Sequence, residues 1–186
     1  MKSHETRRWA WALTGSGHFF TESLALIRDL RDVDLFVSKA AAEVVRMYKE
    51  DLTLPGSARV FLDKTASAAP VGRFYEGAYH TLVVAPASSN TVAKFVYGIS
   101  DTLATNVFAQ AGKCRVPAIV FACDTAPELL TRAPGGVVPV YPRRIDLENT
   151  EKLKAFQATK VVESLADLHL AIAERVRALA ADARRP

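Results

Sequence analysis

Cysteine and histidine are scarce in this chain, at two and four of 186 residues. Cys114 and Cys123 stand well apart, and His4, His18, His80 and His169 are scattered. Neither set has the spacing of a zinc site or a disulfide framework, so reduced thiols and no structural metal are expected. Long apolar runs are also missing. The longest, at residues 81–86 and 116–123, have the length of buried strands, whereas a membrane span needs ~20 apolar residues. No signal-peptide core follows the charged residues 1–8, which points to the cytoplasm. There is no internal repeat, no low-complexity stretch and no linker, so residues 1–186 read as a single domain. Excess charge is small, with 24 Lys and Arg against 20 Asp and Glu. It concentrates in Lys2, Arg7, Arg8, Arg184 and Arg185, which read as solvated termini. No basic face with interleaved aromatics is present, which argues against nucleic acid. An anionic small ligand stays open. Apolar residues make up 49% of the chain, enough for a sizeable core.

Hydrophobic patterning alternates between two periods. Residues 9–14 (WAWALT) read as a buried strand ended by Gly15-Ser16-Gly17. Phe20, Leu24, Ile27 and Leu30 then form one helical face. Residues 34–37 are a second strand, 40–50 an alanine-rich helix, 54–56 a turn and 58–62 a third strand. Residues 64–77 read as a loop. The clearest strand is 81–85 (TLVVA), a continuous apolar run of the kind found in parallel sheets covered on both faces. Residues 86–90 end it, and 91–97 form a short helix closed by Gly98. Ser100 or Asp101 caps the next helix, to Ala111. Residues 117–122 are another strand. Asp124 caps the segment 125–130, residues 137–140 and 143–145 are extended, and Asn149 caps a helix to Phe156. Leu165, Leu168, Ile172, Val176 and Leu179 make the stripe of a last amphipathic helix. Strands alternating with helices give an α/β fold, Rossmann-like, with a mainly parallel sheet between helical layers.

Ligands in such sheets bind at the carboxyl ends of the strands. That rule selects residues 15–18, 38–40, 86–91 and 123–125. The glycine pair of Gly15-Ser16-Gly17 lets backbone approach a ligand and leads into a helix N-terminus, which suits a phosphate. The dinucleotide fingerprint is incomplete: Phe20 replaces its third glycine, and Ser38 stands where an acid would hold the adenine ribose. A phosphate or mononucleotide therefore fits better than NAD. Ser88, Ser89, Asn90 and Thr91 put four small polar side chains in a row, more than a helix cap needs. They offer hydroxyls, a carboxamide and helix N–H groups to a phosphate or a ribityl chain.

The run PASSNTVAKFVYGISDTLATN at residues 86–106 resembles the central signature of the homo-oligomeric flavin-containing cysteine decarboxylase superfamily, the flavoprotein fold. TGSGHFFTES at 14–23, Ser38 and VPAIVFACD at 116–124 extend the likeness. The histidine of the decarboxylase branch is missing, because its place falls near Gly72. Its substrate motif is replaced by ACDTAPELL. The chain looks most like the archaeoflavoprotein and dihydromethanopterin reductase subgroup, through TGSGHFF, GRFYEGAYHTLVVAPASSNTVAK and RRIDLENTEKL. The resemblance implies a three-layer sandwich, FMN as cofactor, and trimer-based self-association. It puts FMN contacts on Gly15, Ser16, Gly17, Ser38, Ser88, Ser89, Asn90 and Thr91, with Asp101, Ala122 and Cys123 near the ribityl chain or ring. The activity implied is reduction of a dihydropterin by hydride transfer from reduced flavin, fed by an electron donor. The alternatives are a flavin electron-transfer protein without enzymatic activity and a cysteine decarboxylase. Such a reduction needs a proton donor. The candidates are His18, Asp124, Tyr75 and Tyr141, with His18 preferred because it directly follows the glycine loop.

Overall fold

A computed structural model describes residues 7–54, 56–64, 68–182 and 184. Lys2, His4, Pro55, Arg185 and part of the 64–77 loop lie outside the described residues. Eight strands and seven helices are found among those described: β1 Arg8–Leu13, α1 Phe20–Asp29, β2 Val33–Val37, α2 Lys39–Met47, β3 Arg59–Leu62, α3 Ala68–Gly72, β4 Tyr79–Ala87, α4 Ser89–Val96, α5 Leu103–Lys113, β5 Ala118–Ala122, β6 Leu129–Ala133, β7 Gly136–Val140, α6 Arg144–Lys154, β8 Thr159–Val162 and α7 Leu165–Asp182. Six strands form one sheet in the order β3-β2-β1-β4-β5-β8, and every pairing in it is parallel. The expected α/β sandwich is therefore present. The chain winds outward from β1 to β3, then returns to place β4 on the other side of β1. This reversal opens a crevice at the carboxyl ends of β1 and β4, where α/β sheets bind ligands.

Side-chain alternation along β1 divides the core into two layers. Trp9, Trp11 and Leu13 pack with α1, α2 and α7 through Phe20, Leu24, Ile27, Val44 and Leu168. Ala10 and Ala12 face the other layer, where α4, α5 and α6 contribute Phe95, Val107 and Leu153. Small residues at 10 and 12 make room there for Phe36, Phe74 and Tyr79. The Trp11 indole is completely buried, and its Nε1 donates to the Ala85 carbonyl at 2.7 Å. A single unmet N–H would be costly at that depth.

Several local readings are corrected. Pro86 lies inside β4, at an irregularity in the β4–β5 register, where the missing N–H of proline is tolerated. Thr102, not Ser100 or Asp101, caps α5, in a reciprocal capping box with Thr105. Of residues 143–145 only Arg143 is extended, as the N-cap of α6 with its side chain paired to Asp146, and residues 144 and 145 are helical. Asn149 is consequently a buried residue inside that helix rather than its cap. The 64–77 segment contains α3, and β6 and β8 were not visible as strands.

Arg8 is the largest departure from the sequence reading. It is not a solvated terminal charge but a buried member of β1. Its Nε donates to Asp34 Oδ1 at 2.7 Å, and Arg59 Nε donates to the same oxygen at 2.9 Å. The Tyr79 hydroxyl donates to Asp34 Oδ2 at 2.8 Å. Asp34 has no exposed surface. Arg8, Arg59 and Tyr79 each begin their strand, so one carboxylate ties β1, β3 and β4 to β2 at the amino end of the sheet. Burial and the Asp34 carboxylate both push the Tyr79 hydroxyl toward a higher pKa, which keeps it a donor. Removing one partner of a buried ion pair strands the others. Asp34→Asn is expected to lower unfolding stability by about 3 kcal/mol, measured by urea denaturation; a change within experimental error would reduce this network to surface decoration.

Candidate functional site

At the carboxyl ends of β1 and β4 lies a cavity of about 320 Å³. Its wall includes Gly15, Ser16, Gly17, His18, Ser88 and Cys123, six positions that the sequence singled out, together with Asp124. Both glycines are dictated by close approach. A Cβ on Gly15 would collide with the Cβ of Ala40 in the first turn of α2, and one on Gly17 would collide with the Tyr48 hydroxyl. Neither glycine has positive φ, so the requirement is space rather than backbone conformation.

Thr14, which sequence reading passed over, joins the two loops. Its buried hydroxyl donates to the Pro86 carbonyl at 2.8 Å and accepts from Ser88 N–H at 2.9 Å. The loop after β1 and the entrance to α4 are thereby locked side by side. Ser88 is the N-cap of α4, accepting from Thr91 N–H and bonding to the Thr91 hydroxyl at 3.0 Å. Ser38 caps α2 in the same way, accepting from Ala41 N–H at 3.1 Å. Ser16 Oγ accepts from His18 N–H at 3.2 Å. Each hydroxyl fixes its own loop and can still donate its proton to an oxygen ligand. Two helix N-termini, those of α2 and α4, flank the glycine loop. Their free N–H groups and dipoles favour an anion there without a buried lysine or arginine.

The remaining sequence candidates separate. Ser89, Asn90 and Thr91 occupy the first turn of α4 outside the cavity wall, and the Asn90 side chain is exposed. Since Ser88 is the cap, Asn90 has no capping duty. Asp101 is exposed and bonded to Lys94 Nζ at 2.8 Å in the α4–α5 loop, apart from the cavity. Ala122 is buried at the end of β5, with Cys123 next to it in the wall. Complete burial pushes the Cys123 thiol up to about 12, so it stays protonated and is a poor nucleophile. Tyr75 and Tyr141 are largely exposed and do not line the cavity.

His18 does line it. The backbone of the next residue, Phe19, is left-handed with φ of 56°. The Phe19 ring stacks on buried Phe121 at 5.0 Å and meets the His18 ring at 3.9 Å. This aromatic column places the imidazole beside the hairpin of β6 and β7, with Nδ1 3.0 Å from Thr131 Oγ1. Burial lowers the His18 pKa below its usual 6.5, opposed by the charges of Asp124 and Glu22. The hairpin itself supplies Leu129, Thr131, Arg132, Ala133 and Val140 to the wall. Sequence reading found only its second strand. The two apolar runs LLTRA and VVPV around Ala133-Pro134-Gly135-Gly136 carry the signal that was available.

Comparisons with known proteins agree with this architecture. A protein of Burkholderia xenovorans, DmrB, solved in complex with FMN and described as a cubic protein cage for redox transfer, is 50% identical. The match covers 95% of this chain and 98% of that one, with a TM-score of 0.86. A dihydromethanopterin reductase (acceptor) of Methanosarcina mazei is 38% identical over 142 residues, 69% of this chain and 59% of that enzyme. An uncharacterised protein of Methanocaldococcus jannaschii is 35% identical, with 90% of this chain and 95% of that protein covered. A phenylacrylic acid decarboxylase of Aquifex aeolicus, at 23% identity and a TM-score of 0.64 over 85% of this chain and 81% of that one, shares the fold. The Flavoprotein family model matches residues 1–183, and the chain belongs to that family.

Proposed function

We propose that this protein is an FMN-dependent reductase of a dihydropterin, with residues 1–186 acting as one FMN-binding domain. The observation that carries the cofactor assignment is the glycine loop pressed against α2 beside the capped entrance of α4. This cradle has room for a phosphate and supplies N–H and hydroxyl donors. The residue after β2, where a dinucleotide site carries an acid for the adenosine ribose, is Ser38, which disfavours a dinucleotide. The match over 59% of a named dihydromethanopterin reductase and the close match to the FMN-bound Burkholderia protein support the same reading. The likeness to decarboxylases extends to the fold alone. Two free cysteines suit a reducing compartment such as the cytoplasm. Self-association in trimer-based assemblies is part of the proposal, supported by the cubic cage described for the Burkholderia relative.

Gly15, Ser16, Gly17, Ser38 and Ser88 are proposed to hold the FMN phosphate. Ser89, Asn90 and Thr91, in the first turn of α4, are proposed to face ribityl or phosphate oxygens, and Cys123, with Ala122 beside it, to border the outer part of the cofactor; Asp101, paired with Lys94 in the α4–α5 loop, stays outside it. When bound, FMN supplies the hydride; the protein orients it and excludes water. Leu129 and Val140 form the apolar side of that enclosure. His18 carries the proton for the pterin ring nitrogen. Its Nδ1 is engaged by Thr131, so Nε2 is the atom that delivers it. The electron donor is a further partner, proposed here only as a reductant of flavin.

Turnover tests this reading. Chemically reduced holoprotein mixed anaerobically with a dihydropterin should be reoxidised with formation of the tetrahydropterin. A flavin that exchanges electrons with one-electron carriers but never with the pterin would favour the electron-transfer alternative. Because the His18 pKa lies below 6.5, the protonated donor is lost as pH rises through that lowered value. The pterin rate should therefore decline with an apparent pKa below 6.5, and His18→Gln should abolish this limb. A wild-type profile unchanged by the substitution would remove His18 from the chemistry.

Asn90 gives a second test. A carboxylate there removes a donor and puts an anion next to a phosphate. Asn90→Asp should weaken FMN binding at least tenfold, which is ~1.4 kcal/mol, by flavin fluorescence titration. Apo-protein melting should be unaffected, since Ser88 retains the cap. Unchanged affinity would take Asn90 out of the cofactor site.

A further inference from the structure

We propose that Asp124 selects the substrate, by accepting two hydrogen bonds from the amino-bearing edge of the dihydropterin. The inference rests on the pterin reading above and deepens it. Asp124 stands two residues beyond the end of β5, half-buried in the cavity wall. Its backbone is anchored, because its carbonyl accepts from the Thr150 hydroxyl of α6 at 3.4 Å. Its carboxylate has no structural duty. Residues 125–130 form no helix for it to cap, and among the described residues it makes no hydrogen bond or ion pair. Arg143 lies within range of its charge but holds Asp146 instead, through Nε at 2.9 Å and Nη2 at 2.8 Å. Arg132 shares the wall, its carbonyl accepting from the Tyr48 hydroxyl at 2.6 Å, and does not pair with Asp124. A half-buried carboxylate without a partner is costly, and a ligand that brings N–H donors to it removes that cost.

Strand order separates this carboxylate from the glycine loop. β4 lies between β1 and β5, so Asp124 is two strand spacings, ~10 Å, from the loop after β1. A phosphate at the loop and a carboxylate at Asp124 are therefore compatible, and the group that meets Asp124 must be a donor. The flavin ring suits it poorly: its pyrimidine edge sets one N–H between two carbonyls, whose oxygens a carboxylate repels. A pterin instead carries its exocyclic amino group next to a ring N–H. These are two parallel donors, matched to the two oxygens of one carboxylate in the manner of a guanidinium. His18 lies in the same wall, close enough for the Asp124 charge to act on its imidazole. Holding the amino-bearing edge at Asp124 leaves the second pterin ring, which takes hydride and proton, to the flavin and His18. Asp124 is thus a specificity-determining residue and itself transfers nothing.

The test titrates two probes into the oxidised FMN holoprotein by calorimetry: a dihydropterin, and its analogue with a methyl group in place of the exocyclic amino group. Wild type should bind the dihydropterin about tenfold tighter or more, because the analogue leaves one carboxylate oxygen unpaired. Asp124→Asn keeps the size and supplies one acceptor where the carboxylate supplies two. Asp124→Ala supplies none. Both substitutions should erase the preference between the probes, while FMN affinity and melting temperature stay at their wild-type values. In turnover, both should raise KM for the dihydropterin more than they lower kcat. Equal affinity of wild type for the two probes, or a preference that survives both substitutions, overturns the assignment. So does a loss of FMN affinity in both variants, which makes Asp124 a cofactor contact, or a large fall in melting temperature, which makes it structural. Wild type that binds neither probe sinks the pterin reading and this inference with it, whereas wild type that binds both without discrimination keeps the pterin reading and removes Asp124 alone.

Discussion

The distance of closest approach between the loop after β1 and helix α2 governs the whole site. Gly15 meets Ala40, and Gly17 meets the Tyr48 hydroxyl, at separations that no side chain could occupy. That contact brings the N-terminus of α2 to the glycine loop. Thr14 then fastens the same loop to the entrance of α4 through Pro86 and Ser88. Strand order does the rest, because β1 and β4 are neighbours whose connections leave in opposite directions. The result is a crevice lined with donors, where an anion can be held by N–H groups and hydroxyls. A bulky residue at 15 or 17 would separate the elements on which every other site feature depends.

Charge is distributed to match. The carboxyl end of the sheet holds dipoles, hydroxyls, one half-buried imidazole and, in the cavity wall, Asp124 and Arg132. The amino end holds the buried carboxylate of Asp34 with Arg8, Arg59 and Arg73 around it. Pinning the amino ends of four strands fixes the register that the site needs at their opposite ends. Binding chemistry and structural ion pairing are thus kept at opposite ends of one sheet.

Much of this was legible because it is local. The continuous apolar run at 81–85, the glycine pair and the four polar residues at 88–91 each announce a strand or its end, and the topology brings their neighbourhoods together. Ser38 and Ser88 were recognisable as polar strand-end residues, though their backbone partners were not. What stayed hidden depends on contacts far along the chain. Arg8 looks like a terminal charge until Asp34 is placed beside it. Tyr48 ends an ordinary helix, and only folding brings it to Gly17 and Arg132. Asp101 belongs to the family-like run yet pairs with Lys94, since the α4–α5 loop carries it away from the cavity. Short edge and hairpin strands, such as β6 and β8, lack the continuous apolar pattern of central strands and are exposed on one side.

The central claim is that the carboxyl ends of β1 and β4 form a mononucleotide flavin site. Its most direct test is the identity of the cofactor. Protein purified or reconstituted with mixed flavins should be yellow, and mass spectrometry of the heat-released material should find FMN at one per chain or close to it. Recovery of FAD alone, or of no flavin after reconstitution, would contradict the account.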